Sequence, residues 1–269
     1  MNFSTILAAN APTAIARPKI PKSIRASNML LVYLVVCVCQ VVSRIFFFLD
    51  LILFPSKIHI WRCIMTKETE FVKHIRKHLE EYGFSLVFGK GKRVNVGGAR
   101  CEGYFNYGKT KKERRIVVAG KSQTWLYILA HEYCHFLQWL EYPTWYSNKF
   151  DISQDIVNNV SVGFINKKWT KRQIRNAFLL VAYNERDCER RTVKLLEKWG
   201  IPFNKDVYIK KANLYVYLHH MWMNSHSLKT KFDVYKSAKL LNMLAGNFKV
   251  KSHLVVPKPV KELLNKAFS

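Results

Sequence analysis

The stretch His131-Glu132-Tyr133-Cys134-His135 decides how this chain is interpreted, and it lies inside an apolar segment, residues 124–139. The apolar spacing predicts an α-helix here, capped at its start by a serine or threonine. Side chains four residues apart lie on the same face of an α-helix, so the two imidazoles project together, one turn apart. Two imidazole nitrogens so placed can occupy neighbouring corners of a tetrahedral zinc site.

Glu132 directly follows the first histidine, and its carboxylate can reach a water molecule at an open zinc position. Zinc lowers the pKa of such a water towards neutrality, and the carboxylate can then act as general base. These residue types at this spacing are what hydrolysis of a peptide bond requires. The alternative is a surface helix that carries two histidines by chance. The apolar surroundings of the motif favour the metal site.

A third zinc ligand must come from elsewhere, because residues 136–147 contain no histidine. Residues 182–191 hold three acids, of which Glu185 and Glu189 are four apart on a predicted helix, whereas Asp187 points elsewhere. The alternative is a solvated helix face on which these acids pair with neighbouring arginines. An upstream pair of histidines favours the metal interpretation.

The pattern of His131, Glu132 and His135 followed by Glu185 and Glu189 resembles the gluzincin metallopeptidases, of which thermolysin is the best known. The resemblance implies that Glu185 is the third zinc ligand and that Glu189 orients a histidine ligand. This chain has glutamate at 189 where the family usually has aspartate, so the division of roles between the two acids stays open.

Residues 185–196 are also similar to small intracellular metallopeptidases, including those of phages and mobile elements that cut repressors. In that group the strand before the metal-binding helix forms the edge of the cleft and pairs with the substrate backbone. The resemblance implies this role for one predicted strand, formed by Arg115, Ile116, Val117 and Val118.

Two weaker features have simple alternatives. His220, which follows His219, could donate a hydrogen bond to the oxyanion, although histidines at the boundary of an amphipathic helix would give the same pattern. The basic run 109–115, with aromatic residues nearby, could bind nucleic acid or an acidic peptide. An exposed hairpin explains that run equally well.

The composition excludes a disordered chain and predicts an anionic partner. Of the 269 residues, 49% are apolar and 14% aromatic, which is enough for a sizeable core. The net charge is +26; residues 1–64 hold seven basic side chains and one acidic, which leaves +20 for the remainder. This charge favours nucleic acid, lipid headgroups or acidic peptides. A lysine-rich solvated surface is the alternative.

The first 64 residues predict a separate, basic and hydrophobic N-terminal extension. Residues 29–54 are almost wholly apolar and long enough for a membrane anchor, with charge only at Arg44 and Asp50. Met65 equally resembles the start of a domain, in which case residues 1–64 would be an over-extended reading frame. The six cysteines form no C-x-x-C pair, which favours reduced thiols in an intracellular protein.

The remaining periodicity predicts an α+β fold for residues 65–269: an N-terminal helix, a small twisted sheet, the metal-binding helix and a helical C-terminal part, as in a zincin-like domain. Predicted strands cover 85–88, 93–96, 104–107 and 115–118, and predicted helices cover 67–82, 124–139, 152–164, 171–198, 206–223 and 232–244.

The sequence therefore predicts a Zn²⁺-dependent metallopeptidase that acts on a protein or peptide. One alternative is a basic nucleic-acid-associated protein with a structural or degenerate zinc site. A DNA-linked protease of the Spartan type lies between the two, but it uses a histidine as third ligand, and no well-placed one follows the motif. A third alternative is a membrane-tethered peptidase.

Overall fold

The computed structural model describes residues 55–268 apart from 97–98, 109, 111, 162, 165–167, 226–229 and 249–254. The predicted anchor at 29–54 lies outside the described residues. Within the described part of the chain, no helix combines the length and the apolar character that crossing a membrane requires.

The chain divides into two compact units with a boundary between Thr69 and Glu70. Helix α1 (Pro55–Glu81) contributes to both units and runs through Met65 without a break. The unit that begins at Glu70 has an α+β fold with a small mixed sheet, as predicted. It contains every residue of the predicted metal site.

In the part of the chain that the structure describes, five short strands form two sheets. They are β1 (Ser85–Gly89), β2 (Val94–Val96), β3 (Ala99–Cys101), β4 (Gly103–Asn106) and β5 (Arg115–Ala119). In the three-stranded sheet the order is β1-β5-β4, with β1 parallel and β4 antiparallel to β5. Strands β2 and β3 form a separate antiparallel pair. Four of the five strands were predicted, and β3 was not.

Strand β5 is the central strand, so the prediction that Arg115, Ile116, Val117 and Val118 form the cleft edge is wrong. Its backbone is paired on one side with β1 and on the other with β4, where Gly103 faces Val118 and Asn106 faces Arg115. An interior strand has no free row of backbone groups to offer a substrate. Among the described strands, β4 is the edge strand that contacts the helix carrying His131 and His135.

The helices follow the sheet in the chain. They are α2 (Trp125–Glu141), the short α3 (Pro143–Trp145) with a π-helical turn at Tyr146–Phe150, α4 (Asp151–Ser161), α5 (Lys171–Trp199), α6 (Lys205–Ser225), a 3₁₀ turn at Val234–Lys236, α7 (Ala238–Asn242) and α8 (Lys258–Phe268). Helix α8 was not predicted.

The helix predicted at 232–244 is instead a 3₁₀ turn followed by the short α7. Asp233 accepts a hydrogen bond from the Tyr235 N–H, and Ser237 accepts one from the Leu240 N–H. Each side chain starts a new helical segment, so one continuous helix does not form.

Helix α5 joins two hydrophobic clusters. Its N-terminal half contributes Ile174, Phe178 and Val181 to a cluster with α4 and α6. Its C-terminal half contributes Val193 and Leu196 to a cluster with α1, the sheet and α2. Between these halves lie the buried polar residues of α5, including Glu185 and Glu189, which face the polar residues of α2 across the junction of the two clusters.

Candidate metal centre

Helix α2 buries the whole motif because the sheet packs on one side of the helix and α5 on the other. His131 is 4% exposed, and Glu132 and His135 are each 9% exposed. Buried polar groups are costly unless they have partners, so the contacts of these three side chains indicate their role.

Three side-chain atoms converge at one point. His131 Nε2 lies 3.1 Å from His135 Nε2, and each of these nitrogens lies 3.5 Å from Glu185 Oε2. Ligand atoms at the corners of a tetrahedral zinc site, with bonds of 2.0–2.2 Å, are separated by about 3.3 Å. The three separations therefore match adjacent edges of a zinc tetrahedron.

The neighbours of the two outer ring nitrogens indicate how the imidazoles are oriented. His135 Nδ1 hydrogen-bonds Gln138 Oε1 at 3.0 Å, whereas Glu189 Oε1 lies at ion-pair distance, 3.3 Å, from His131 Nδ1. We infer that both Nδ1 atoms carry hydrogen, which leaves the Nε2 lone pairs facing each other. Glu185 Oε2 accepts no hydrogen bond among the described residues. Three converging electron pairs suit a cation, and the residues therefore fit zinc.

Glu189 holds His131 from its far side. Its side chain is fully buried, and its second oxygen accepts a hydrogen bond from the Tyr208 hydroxyl at 2.5 Å. A carboxylate behind a histidine ligand fixes the tautomer and raises the basicity of the ring. In this geometry Glu185 faces the ligand nitrogens, and Glu189 faces the outer nitrogen of His131.

Gln138 holds His135 from its far side through a hydrogen bond to Nδ1, and it was not predicted from the sequence. Its oxygen also accepts from the Tyr146 hydroxyl at 3.0 Å. Its amide nitrogen donates to the Asn184 carbonyl at 3.1 Å and to Asp187 Oδ2 at 2.9 Å. The spacing of three residues from His135 on one helix was the available signal.

Cys188 lies close enough to both histidines to join them in holding a metal. Its Sγ is 3.6 Å from His131 Nδ1 and donates to the His131 carbonyl oxygen at 3.2 Å. It thus lies on the side of the ring away from Glu185. Burial raises the pKa of the Cys188 thiol well above its ordinary value. Cys188 Sγ thus approaches the outer nitrogen of His131, whereas Glu185 Oε2 approaches the Nε2 atoms of both histidines.

The charges at the centre are strongly coupled. Burial alone would lower the pKa of His131, but Glu189, then Glu132 and Glu185, raise it to about 10. Burial alone would raise the pKa of Glu185, but His135 and His131 lower it to about 2. Without a metal, the centre is therefore stabilised by a proton on His131.

Glu132 is buried beside the two histidines. Burial and the nearby Glu185 raise the pKa of its carboxyl, although both histidines and a backbone hydrogen bond from Phe105 oppose the shift. A carboxylate with a raised pKa is a stronger base, as general-base catalysis requires.

A cavity of about 360 Å³ opens onto the centre. Its walls include the edge strand β4 through Gly103, Tyr104 and Phe105, and helix α6 through Tyr215. At Gly103 a Cβ atom would lie 2.4 Å from Ile128 Cγ2, so glycine is needed for β4 to approach α2 this closely.

His220 is not among the described residues that line the cavity, whereas Tyr215 is. His219 is buried, and its Nδ1 atom hydrogen-bonds the Tyr215 carbonyl at 3.1 Å. Burial, then Glu185, raises the pKa of the Tyr215 hydroxyl well above its ordinary value, so the hydroxyl stays protonated. Tyr215 lies about one turn before His219 on α6, a spacing that could have indicated it.

The basic run 109–115 is described only in part, because residues 109 and 111 lie outside the described residues. Its aromatic neighbours have other roles: Phe105 stacks on Phe84 in the core, and the Tyr107 hydroxyl donates to Asp151. The Arg114 guanidinium lies 5.8 Å from the centre of the Phe84 ring.

No protein-family model, curated protein or solved structure matches this chain.

Proposed function

We propose that this chain is a zinc metallopeptidase of the gluzincin type. The observation that carries the proposal is the convergence of His131 Nε2, His135 Nε2 and Glu185 Oε2 at separations of 3.1–3.5 Å. Supporting it, Glu132 lies in the same buried cluster and the cavity opens onto it.

Three protein ligands beside an open cavity favour a catalytic over a structural site. Structural zinc sites are almost always closed by four protein ligands, whereas catalytic sites keep one position for water or substrate. Here both histidines and Glu185 line the cavity, so an ion held by them would be accessible to water and substrate.

A bound zinc ion would supply Lewis acidity, which polarises a substrate carbonyl and acidifies an attacking water. His131, His135 and Glu185 would hold the ion, while Glu189 and Gln138 keep the two imidazoles in orientation. All other steps depend on side chains and backbone groups of this chain.

Glu132 moves the proton. Its carboxylate accepts a proton from the attacking water and delivers it to the nitrogen of the leaving amine, so that the peptide nitrogen departs as a neutral amine. Tyr215, which lines the cavity and stays protonated, donates a hydrogen bond to the oxygen that gains negative charge at the scissile carbonyl.

Strand β4 would orient the substrate. It lines the cavity through Gly103, Tyr104 and Phe105, it is an edge strand of its sheet among the described residues, and an extended peptide can pair with such a strand through backbone hydrogen bonds. This pairing would present successive substrate side chains alternately towards and away from the cavity.

The test is the zinc content and peptidase activity of the purified full chain beside Glu132→Gln, with Glu80→Gln on the exposed face of α1 as matched control. The proposal expects about one zinc per chain in all three proteins, and hydrolysis of a peptide mixture reduced about 10²–10⁴-fold in Glu132→Gln alone. A wild-type chain without zinc, or a Glu132→Gln variant as active as wild type, would refute it.

A further inference from the structure

One side of the cavity is formed by helix α4. Asp151, Gln154 and Asn158 all line it, at spacings of three and four residues that place them along one helix face. The Gln154 amide donates to Asn158 Oδ1 at 3.0 Å. This side of the cavity thus has one carboxylate and two neutral amides.

Aromatic rings form another part of the cavity wall. Tyr146 packs against Tyr107 and Phe150, with ring centroids 5.6 Å and 4.8 Å apart, and all three rings line the cavity. The Tyr146 hydroxyl donates to Gln138, the residue that holds His135. The aromatic wall therefore begins directly beside the centre.

Asp151 lacks a cationic partner among the described residues, although the chain has 44 lysines and arginines. Its carboxylate accepts a hydrogen bond from the Tyr107 hydroxyl, and burial raises the pKa of the carboxyl. Among the described cavity residues, the one arginine or lysine is Arg93, which precedes β2. Asp151 also lies in the first turn of α4, where an acid stabilises a helix, but that role would not change which substrate side chain is preferred.

We propose that the pocket formed by Asp151, Gln154, Asn158 and the rings of Tyr107, Tyr146 and Phe150 accepts a lysine or arginine side chain of the substrate. This inference rests on the proposed peptidase function and adds the substrate class. The methylene stem of such a side chain packs along aromatic rings while its charged end reaches the Asp151 carboxylate.

The pocket is expected to prefer basic side chains, whereas the net charge of the chain favours acidic partners. A chain with a charge of +26 attracts anionic partners over long distances. Selection within the cavity depends on the groups a few ångströms from the substrate, which are acidic and neutral on this side. A preference for basic side chains would therefore result from the groups that line the pocket and not from the net charge of the chain.

The experiment maps the cleavage sites of a mixed peptide library by mass spectrometry, using the zinc-loaded full chain. Lysine and arginine should be enriched at one position next to the scissile bond. In Asp151→Asn the enrichment should fall about fivefold, the effect of losing one partly exposed ion pair. In Asp151→Lys, aspartate and glutamate should become preferred at that position.

Asp155→Asn is the matched control, because Asp155 is an exposed acid of the same helix that is not among the described cavity-lining residues. It should leave the preference unchanged. Cleavage by wild type without a basic preference, or equal loss in Asp155→Asn, would overturn the inference while leaving the peptidase function intact.

A binding assay keeps the inference testable if no peptide is cleaved, an outcome that counts against the proposed function. It compares the affinity of the zinc-loaded Glu132→Gln chain for a lysine peptide and for the same peptide with norleucine, which lacks the charge. About fivefold tighter binding of the lysine peptide, lost in Glu132→Gln/Asp151→Asn, supports the pocket. Equal affinities overturn it.

Discussion

His131 and His135 lie one turn apart on α2, yet the regions around them differ in charge. Behind His131 stands Glu189, a fully buried carboxylate that also accepts from Tyr208. Behind His135 stands Gln138, a neutral amide. The two histidines are therefore held by different means, one by charge and one by the geometry of a hydrogen-bond network.

The difference has an energetic consequence. A hydrogen bond to an ionised acceptor contributes roughly 1.5–3 kcal/mol, against about 0.5–1.5 kcal/mol for a neutral one. A buried carboxylate without a partner is also costly, so Glu189 and His131 depend on each other more than Gln138 and His135 do. We therefore expect the His131 side to be the more sensitive to substitution.

Removal of Glu185 should have the largest effect, because both histidines face its carboxylate. Glu185→Ala should lower zinc affinity by more than about 100-fold, since losses behind a ligand already reach 10–100-fold. Competition with a coloured chelator measures the affinity. Glu197→Ala, an exposed site on the same helix, should bind zinc as wild type does. Full zinc affinity in Glu185→Ala would remove Glu185 from the ligand set.

Removal of the charge behind His131 should have the next largest effect. Glu189→Gln keeps the shape of the side chain but replaces the anion, so we expect zinc affinity to fall towards 100-fold. The same competition assay measures it. Tyr208→Phe removes the other hydrogen bond of Glu189 and keeps its charge, so a smaller loss is expected. Equal losses of zinc affinity in Glu189→Gln and Tyr208→Phe would show that the charge of Glu189 is not what holds His131.

Removal of the neutral acceptor behind His135 should have a smaller effect. Gln138→Met keeps the volume and loses the hydrogen bonds to His135 and Tyr146, and we expect zinc affinity to fall about tenfold. In a cobalt-substituted protein the visible spectrum should also change, because His135 is no longer held in one orientation by a hydrogen bond. A loss larger than that of Glu189→Gln would reverse the comparison between the two sides.

A separate effect, on stability instead of zinc affinity, should appear in the pH dependence of the metal-free protein. The pKa of His131 is raised to about 10 in the folded chain, above its ordinary 6.5. Its contribution to the free energy of unfolding is then fully present below pH 6.5 and is lost as pH rises towards 10. The melting temperature of the chelator-treated chain should fall across this range. The decline should be weaker in His131→Asn, and an equal decline in both proteins would contradict the assignment.

Local pattern in the sequence predicted most of the long elements. Apolar spacing indicated α2, α5 and α6 because each buries a continuous face, and Gly83 and Gly200, at φ values of 73° and 61°, follow the ends of α1 and α5. The weaker elements were missed or misassigned. Strand β3 has three residues, which is too few to show a periodicity, whereas α8 was missed although it has eleven residues, as many as α4, which was predicted.

Local sequence pattern could not predict which strands pair with each other. Residues 115–118 form a strand as predicted, but its neighbours depend on where residues 103–106 return in space. The cleft edge was therefore assigned to β5 instead of β4. His220 is likewise not among the described residues that line the cavity, whereas Tyr215 is, since which residues of α6 face the cavity depends on how that helix packs.

The sequence by itself determined which residues share a helix face: His131 with His135, and Glu185 with Glu189, because the period of an α-helix is local. Only the tertiary structure decided which atoms meet. The packing of α5 against α2 brings Glu185 to both Nε2 atoms and Glu189 to one Nδ1 atom, across about fifty positions of chain. That outcome depends on how the two hydrophobic clusters orient these helices, and no local pattern carries that orientation.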